Sequence, residues 1–195
     1  MLNFNQIVPI VESKLGLSSR MSHTMQVVET AVKLAHIYHV DVEKVKIAAV
    51  LHDVTKHETD EYHQSLIESY FDIDTCKKWP KPIWHALSAV VFAKKIIKID
   101  DIEILNAIKY HTSGRPKMSL IEKIIFVADY IEPTRKFDNS TIRNLAYNNL
   151  DKALATILKS QNDYLTSIGE IPVSEEVEAL HYYQHLLEEK NVSNT

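Results

Sequence analysis

Two apolar runs in this chain carry charge where a core helix should have none. Ala48-Ala49-Val50-Leu51-His52-Asp53-Val54 ends in a histidine–aspartate doublet, and Ile124-Ile125-Phe126-Val127-Ala128-Asp129-Tyr130-Ile131 holds an aspartate within it. An ionised carboxylate kept from water is costly unless it is paired or binds a metal. Each aspartate therefore needs a partner. Taken alone, either segment fits an ordinary core ion pair or a capping contact. His23 changes that reading, because with it the set becomes two imidazoles and two carboxylates without a thiolate. Mixed nitrogen and oxygen donors suit iron, manganese, cobalt or magnesium better than a structural zinc. Neighbouring helical positions point about 100° apart, so His52 and Asp53 share one ion if it sits beside the helix near its end. Four such ligands on an ion that prefers six leave positions for water and substrate.

Cations and hydroxyls stand close to these residues in the sequence. Arg20 precedes His23 by three residues, so both can project from one helical face. Lys56 follows the doublet closely and suits a phosphate as a point charge; a solvated lysine is the plain alternative. His111 closes a helix, and the loop after it supplies Thr112, Ser113, Gly114, Arg115 and Lys117. That mixture suits an anion, with Gly114 letting backbone approach a phosphate and the helix start at Ser119 favouring negative charge. A solvated turn is the alternative there. The remaining histidines carry less. His36, His39, His57 and His63 read as surface or helix-end residues. His181 and His185 are one turn apart, but Tyr182 stands where a zinc-protease motif has its glutamate base. Trp79 and Trp84, beside Pro80 and Pro82, read as core packing, and Lys94, Lys95 and Lys98 as a solvated face.

The elements that must position these residues read as helices. Met25, Val28, Val32 and Ala35 form one stripe, with Val27, Ala31, Leu34 and Tyr38 beside it. Asp41 is placed to cap a second helix running to about Val54. Asp100 with Glu103 resembles a capping box before Ile102, Leu105 and Ile108, and Ser119 with Glu122 forms a full one before Ile124. Pro133 stops that helix. A long helix over about 141–165 and a last one over about 174–189 complete an all-α reading, with a frayed polar tail from Asn191.

Composition agrees. The 195 residues are 45% apolar and 25% charged, ordinary for a globular chain. Only three glycines occur, which excludes glycine-rich dinucleotide and P-loop phosphate motifs and disfavours a hairpin-rich β fold. A net charge of −4 gives no sign of duplex binding. The single cysteine, Cys76, points to a reducing compartment. The sequence shows no signal peptide and no apolar run long enough for a membrane span, so the expected location is the cytoplasm.

The order His…His-Asp…Asp resembles the signature of HD-domain phosphohydrolases. Arg20-Met21-Ser22-His23, Leu51-His52-Asp53-Val54-Thr55-Lys56, Tyr110-His111-Thr112-Ser113-Gly114-Arg115-Pro116 and Ala128-Asp129-Tyr130-Ile131-Glu132-Pro133-Thr134-Arg135 follow one another. Over roughly residues 18–165 the chain is similar to the YqeK family of symmetrical diadenosine tetraphosphate hydrolases. The resemblance implies one all-α HD-type helical bundle over 1–195, with C-terminal helices over about 166–190 packing on the core. It implies a bound divalent metal, iron foremost, with manganese or cobalt as alternatives. It also implies cleavage of the tetraphosphate to two ADP by metal-activated water.

Carried over by position, His23, His52, Asp53 and Asp129 are the expected metal ligands. Arg20, Lys56, His85, His111, Thr112, Arg115 and Arg135 are the expected phosphate or nucleotide contacts, and the loop reading adds Gly114 and Lys117. Asp53, Lys56 and His111 are the expected catalytic residues. After His85 the family tends to have glycines, whereas Ala86, Leu87, Ser88 and Ala89 stand here. The expected partners are a dinucleoside polyphosphate and its ADP product, with neither nucleic acid nor membrane; a homodimer stays open. An HD enzyme acting on guanosine tetraphosphate or deoxynucleotides would keep the ligands and change the loop. A non-catalytic nucleotide sensor would lose a ligand, and all four positions are filled here.

Overall fold

The computed structural model describes residues 2–72 and 74–192, and the described residues are helical without a strand. The helices are α1 (Phe4–Leu15), α2 (Ser19–Ile37), α3 (Val42–Leu51), α4 (Asp60–Glu68), α5 (Thr75–Lys78) and α6 (Trp84–Phe92). After these come α7 (Ile102–Lys109), α8 (Leu120–Ile131), α9 (Ser140–Asn148), α10 (Leu150–Ser167) and α11 (Ser174–Val192). Side chains start most of them. Asn3 and Gln6 form a capping box on α1, as Ser119 and Glu122 do on α8. Ser18, Asp41 and Thr59 cap α2, α3 and α4.

The packing centres on α2, α3 and α8. Along α2 the more deeply buried stripe is Val27, Ala31 and Leu34. Val45, Ala48, Ala49, Val50 and Leu51 of α3 are fully enclosed, so this helix is apolar around most of its circumference. One continuous core joins them to Ile104 and Ile108 of α7, Ile124 and Phe126 of α8, Leu154 and Leu158 of α10, and Tyr183 of α11. Helix α1, which lies before the expected core segment, adds Ile7, Val11 and Leu15 to the same core. A smaller cluster, Ile67, Trp79, Trp84 and Leu87, bears out the packing role of the tryptophans. No described helix is long and apolar enough to cross a membrane.

Several sequence expectations are corrected. Asp101, not Asp100, caps α7; its carboxylate accepts from Glu103 and Ile104 N–H, while Asp100 pairs with Lys94. Only the aspartate next to Ile102 can reach those amides. Helix α3 ends at Leu51 rather than near Val54, so His52 caps its C-terminus. The long helix expected over about 141–165 is two helices. Asn149 leaves helical geometry (φ −154°, ψ 93°), and its side chain accepts from Lys152 N–H to start α10. The Lys94-Lys95 stretch lies in a wide helical turn, Ala93–Ile97, closed by Lys98 in the left-handed region (φ 65°). The end of the expected polar tail, residues 193–195, lies outside the described residues.

Candidate metal and phosphate site

Four imidazoles converge from four segments. His23 comes from the first turns of α2, His52 from the end of α3, His85 from α6 and His111 from the turn after α7. All four are buried. Three of them fix their rings in one way. His52, His85 and His111 each place Nδ1 against the carbonyl three residues earlier: Ala49 at 2.6 Å, Pro82 at 3.0 Å and Ile108 at 2.7 Å. A carbonyl only accepts, so Nδ1–H donates in each ring and Nε2 is left as the atom that can offer a lone pair to an ion. His23 does the same through a side chain, with Nδ1 3.0 Å from Glu132 Oε1.

The four Nε2 atoms therefore face inward, onto two carboxylates. His23 Nε2 lies 3.0 Å from Asp129 Oδ1, and His52 Nε2 lies 3.4 Å from Asp53 Oδ2. His85 Nε2 is 3.2 Å from both Asp53 Oδ1 and His111 Nε2. The Nε2 atoms of His23 and His52 are buried without a hydrogen-bond partner. Lone pairs and carboxylates crowded together repel one another unless a cation lies among them. His23, His52 and Asp129 form one group with ligand atoms close enough to share an ion, and His52, Asp53 and His111 form a second that overlaps it. The residues present thus fit a divalent metal. All four ligands expected from the sequence meet here, and His111 and His85 extend the donor set.

The electrostatics follow from this crowding. Burial opposes ionisation of Asp53, yet His52 and His111 hold its carboxyl well below the usual carboxylate range. Asp129 is lowered in the same way, against burial, by His23, His52 and Arg135. Burial pushes His85 down to about 4, outweighing the pull of Asp53, so its imidazole is neutral near pH 7. Burial also lowers Lys56, whose Nζ sits 3.0 Å from His85 Nδ1 and 3.2 Å from Nε2.

Two guanidiniums close the rim. Arg20 donates to Asp53 Oδ2 at 2.8 Å. Arg135 donates to Asp129 Oδ1 through NH2 and to the Asp129 carbonyl through Nε at 2.8 Å. Both line a cavity of about 460 Å³ that reaches His23 and Glu132.

The loop after His111 is tied more closely to the protein than the sequence suggests. Arg115 gives its fork to Glu122, Nε to Oε2 at 2.7 Å and NH2 to Oε1 at 2.8 Å, with its guanidinium 5.2 Å from the Tyr110 ring centre. Gly114 has φ +64°, and a Cβ there would meet Leu158 at 3.3 Å, so the glycine makes room for the core. Thr112 Oγ1 is buried without a partner, and Lys117 takes the left-handed conformation at φ 55°.

Two residues of the site region escape sequence reading. Glu132 is buried and fixed by Thr134, whose N–H and hydroxyl both donate to it. His63, expected at the surface, is buried and hydrogen-bonded to Ser88 Oγ at 2.8 Å. Ser88 in turn meets Thr55, which donates to the His85 carbonyl. His181 and His185 are exposed on α11, with His185 next to Glu189.

Comparison with known proteins agrees with this geometry. The family model described as HD domain matches residues 20–134. A symmetrical bis(5'-nucleosyl)-tetraphosphatase of Halalkalibacterium halodurans is 36% identical over 172 residues, 88% of this chain and 91% of that protein. One of Staphylococcus aureus is 34% identical over 187 residues, 94% of this chain and 96% of its own length. A crystal structure from Clostridium acetobutylicum, described as a predicted HD superfamily hydrolase involved in NAD metabolism, superimposes with a TM-score of 0.82. It has 36% sequence identity, and the match covers 95% of this chain and 98% of that one. With the family model matched over more than half of its length and its relatives matched nearly end to end, the chain belongs to the HD-domain family and, within it, to the symmetrical bis(5'-nucleosyl)-tetraphosphatases.

Proposed function

We propose that this protein cleaves diadenosine tetraphosphate symmetrically to two ADP, with iron as its metal and manganese or cobalt as substitutes. The observation that carries the reading is the pair of buried, unpartnered Nε2 atoms on His23 and His52, facing Asp53 and Asp129 beside a cation-lined cavity. The donors are nitrogen and oxygen without sulfur, which supports iron over a structural zinc. Bound there, a divalent ion lowers the pKa of a coordinated water and polarises a phosphoryl oxygen.

The chain's own residues do the rest. His23, His52, Asp53 and Asp129 hold the ion, with His85 and His111 next to them. Cleavage in the middle of the bridge builds charge on non-bridging oxygens of the inner phosphates. Fixed cations lower that barrier, and Arg20, Arg135 and Lys56 stand around the ligand carboxylates to supply them. Asp53 and Lys56 are the candidate catalytic groups, together with His111. The phosphate contacts extend along the loop through Thr112, Gly114, Arg115 and Lys117. The orphaned Thr112 hydroxyl supports a polar partner there. The lone cysteine supports a cytoplasmic enzyme.

Product analysis of the purified protein loaded with iron or manganese tests the reading. Two ADP from diadenosine tetraphosphate are expected. ATP plus AMP would overturn symmetric cleavage, and faster turnover of guanosine tetraphosphate or a deoxynucleotide would move the enzyme to another HD substrate class.

A further inference from the structure

Behind His85 runs a polar chain that the metal and phosphate contacts leave unexplained. His63 Nδ1 is 2.8 Å from Ser88 Oγ, which is 2.8 Å from Thr55 Oγ1. Thr55 Oγ1 lies 3.0 Å from the His85 carbonyl oxygen, and Ser88 Oγ lies 3.2 Å from it. All four residues are buried. The carbonyl only accepts, and each hydroxyl has one hydrogen to give. If Thr55 donates to the carbonyl, Ser88 must donate to Thr55. If Ser88 donates to the carbonyl, Thr55 must donate to Ser88. Either way the Ser88 hydrogen is spent, so His63 Nδ1–H must donate to Ser88. Were His63 the acceptor, either the contact between the hydroxyls or the carbonyl would go without a hydrogen.

The chain joins three segments. His63 stands on α4, His85 and Ser88 on α6, and Thr55 in the turn after α3, between Asp53 and Lys56. That turn also meets the His85 ring, with Asp53 Oδ1 3.2 Å from Nε2 and Lys56 Nζ 3.0 Å from Nδ1. Of the nine residues of α4 only His63 and Ile67 are buried. Ile67 packs in the cluster of Trp79, Trp84 and Leu87, so an apolar anchor already docks the helix one turn away. A buried imidazole costs desolvation that an apolar ring would not, and what it adds is one directed hydrogen. We propose that His63 is a positioning residue: through Ser88 and Thr55 it fixes the His85 main chain, and so holds the His85 imidazole against Asp53 and Lys56. The inference rests on the hydrolase reading above and extends it to α4, a helix that supplies no ligand.

Kinetics of the manganese-loaded protein carrying His63→Phe or His63→Asn test the role. Phenylalanine keeps a flat ring and loses the hydrogen. Asparagine is smaller, but its amide places an N–H where Nδ1 stands. His63→Phe should lower kcat for diadenosine tetraphosphate about tenfold, with KM within about threefold and metal content unchanged. His63→Asn should bring kcat back to within about threefold of the wild type, although its Tm falls further. A purely structural role gives the opposite order in kcat, because asparagine leaves the larger gap. Ser88→Ala, which removes a single oxygen, should lose kcat as His63→Phe does, and the double variant should lose no more. Wild-type kcat in His63→Phe, a greater loss in His63→Asn, or additive losses in the double variant overturn the assignment. Imidazole nitrogen resonances of the magnesium-loaded protein report His85 without turnover. They should shift in His63→Phe and return in His63→Asn, and unmoved His85 signals overturn the positioning. If the wild type fails to split diadenosine tetraphosphate while those signals still follow residue 63, the substrate reading fails and the positioning stands.

Discussion

His23 gives its Nδ1 hydrogen to Glu132 Oε1 across 3.0 Å, whereas the other three imidazoles of the site give theirs to backbone carbonyls. A carbonyl three residues back is built into its own helix and needs no further support. A carboxylate must itself be held. Thr134 does this with its N–H at 2.6 Å and its hydroxyl at 2.8 and 2.7 Å from the two oxygens. Burial opposes the ionised form of Glu132, but Thr134 and His23 keep its pKa below the usual glutamate value. The ionised acid fixes the His23 tautomer and makes Nε2 a better donor to an ion.

The first prediction follows from that link. Glu132→Gln keeps the shape and loses the charge, so apparent metal affinity should fall about tenfold, within the range typical for groups supporting a ligand. Competition with a graded chelator measures it directly. Undiminished affinity in Glu132→Gln would show that His23 needs no carboxylate behind it.

His52 offers a test of the metal centre itself. Its ring is fully buried, and its Nε2 belongs to both candidate ligand groups. His52→Ala should abolish stoichiometric metal by elemental analysis and abolish phosphohydrolase activity. It should also remove the rise in Tm that added metal gives the wild type, since a bound ion stabilises only the folded state. Full metal content in this variant would reject the ligand assignment.

A third prediction concerns pH and lies away from the site. Glu176, in the first turn of α11, is 6% exposed, and burial pushes its pKa up to about 7. Its folded pKa is raised, so the fold favours the neutral acid. That contribution is complete below the unfolded value of about 4.5 and is lost as pH rises toward about 7. Glu176→Gln removes the titration. Chemical denaturation should show the variant gaining on the wild type between pH 5 and 8, by on the order of 2 kcal/mol after allowing for partial water access. Parallel pH profiles for the two proteins would contradict it.

What was legible in the sequence follows from the range of each interaction. Of the expected ligands, His52, Asp53 and Asp129 stand out because charge in an apolar run is a local anomaly, and His23, in a mixed stretch, is read only together with them. The Ser119–Glu122 box is legible because both partners lie within one turn. Glu132 is not, because before Pro133 it reads as a surface acid at a helix end, and its partner lies 109 residues away. His63 sits between Tyr62 and Gln64 in a polar stretch; only the docking of α4 on α6 buries it beside Ser88. The break at Asn149 is masked because Ala146, Leu150 and Ala153 keep the helical period across it, and all three are buried.

Arg115 carries the last prediction, because one side chain is asked to serve two partners. From the sequence it is a phosphate fork, and in the fold that fork is closed on Glu122 at 2.7 and 2.8 Å. Glu122 is 1% exposed, and its Oε1 also accepts from Ser119 N–H at 3.1 Å to cap α8. Lysine at 115 would keep the charge but could not present two parallel N–H groups. One of the two hydrogen bonds to a buried carboxylate would then be lost, at a cost of about 1–2 kcal/mol. For a chain of this size that lowers Tm by roughly 2–8 °C. The guanidinium also stands in a loop proposed to meet phosphate, so Arg115→Lys should lower kcat/KM for diadenosine tetraphosphate by at least about tenfold, or ~1.4 kcal/mol. Metal content should stay unchanged, since Arg115 is not a ligand. The two readouts separate the partners: a lowered Tm with wild-type kcat/KM would leave Arg115 as an anchor for the loop and remove it from the phosphate contacts. A wild-type Tm with lowered kcat/KM would do the reverse, and show that Glu122 holds its place through the Ser119 cap alone.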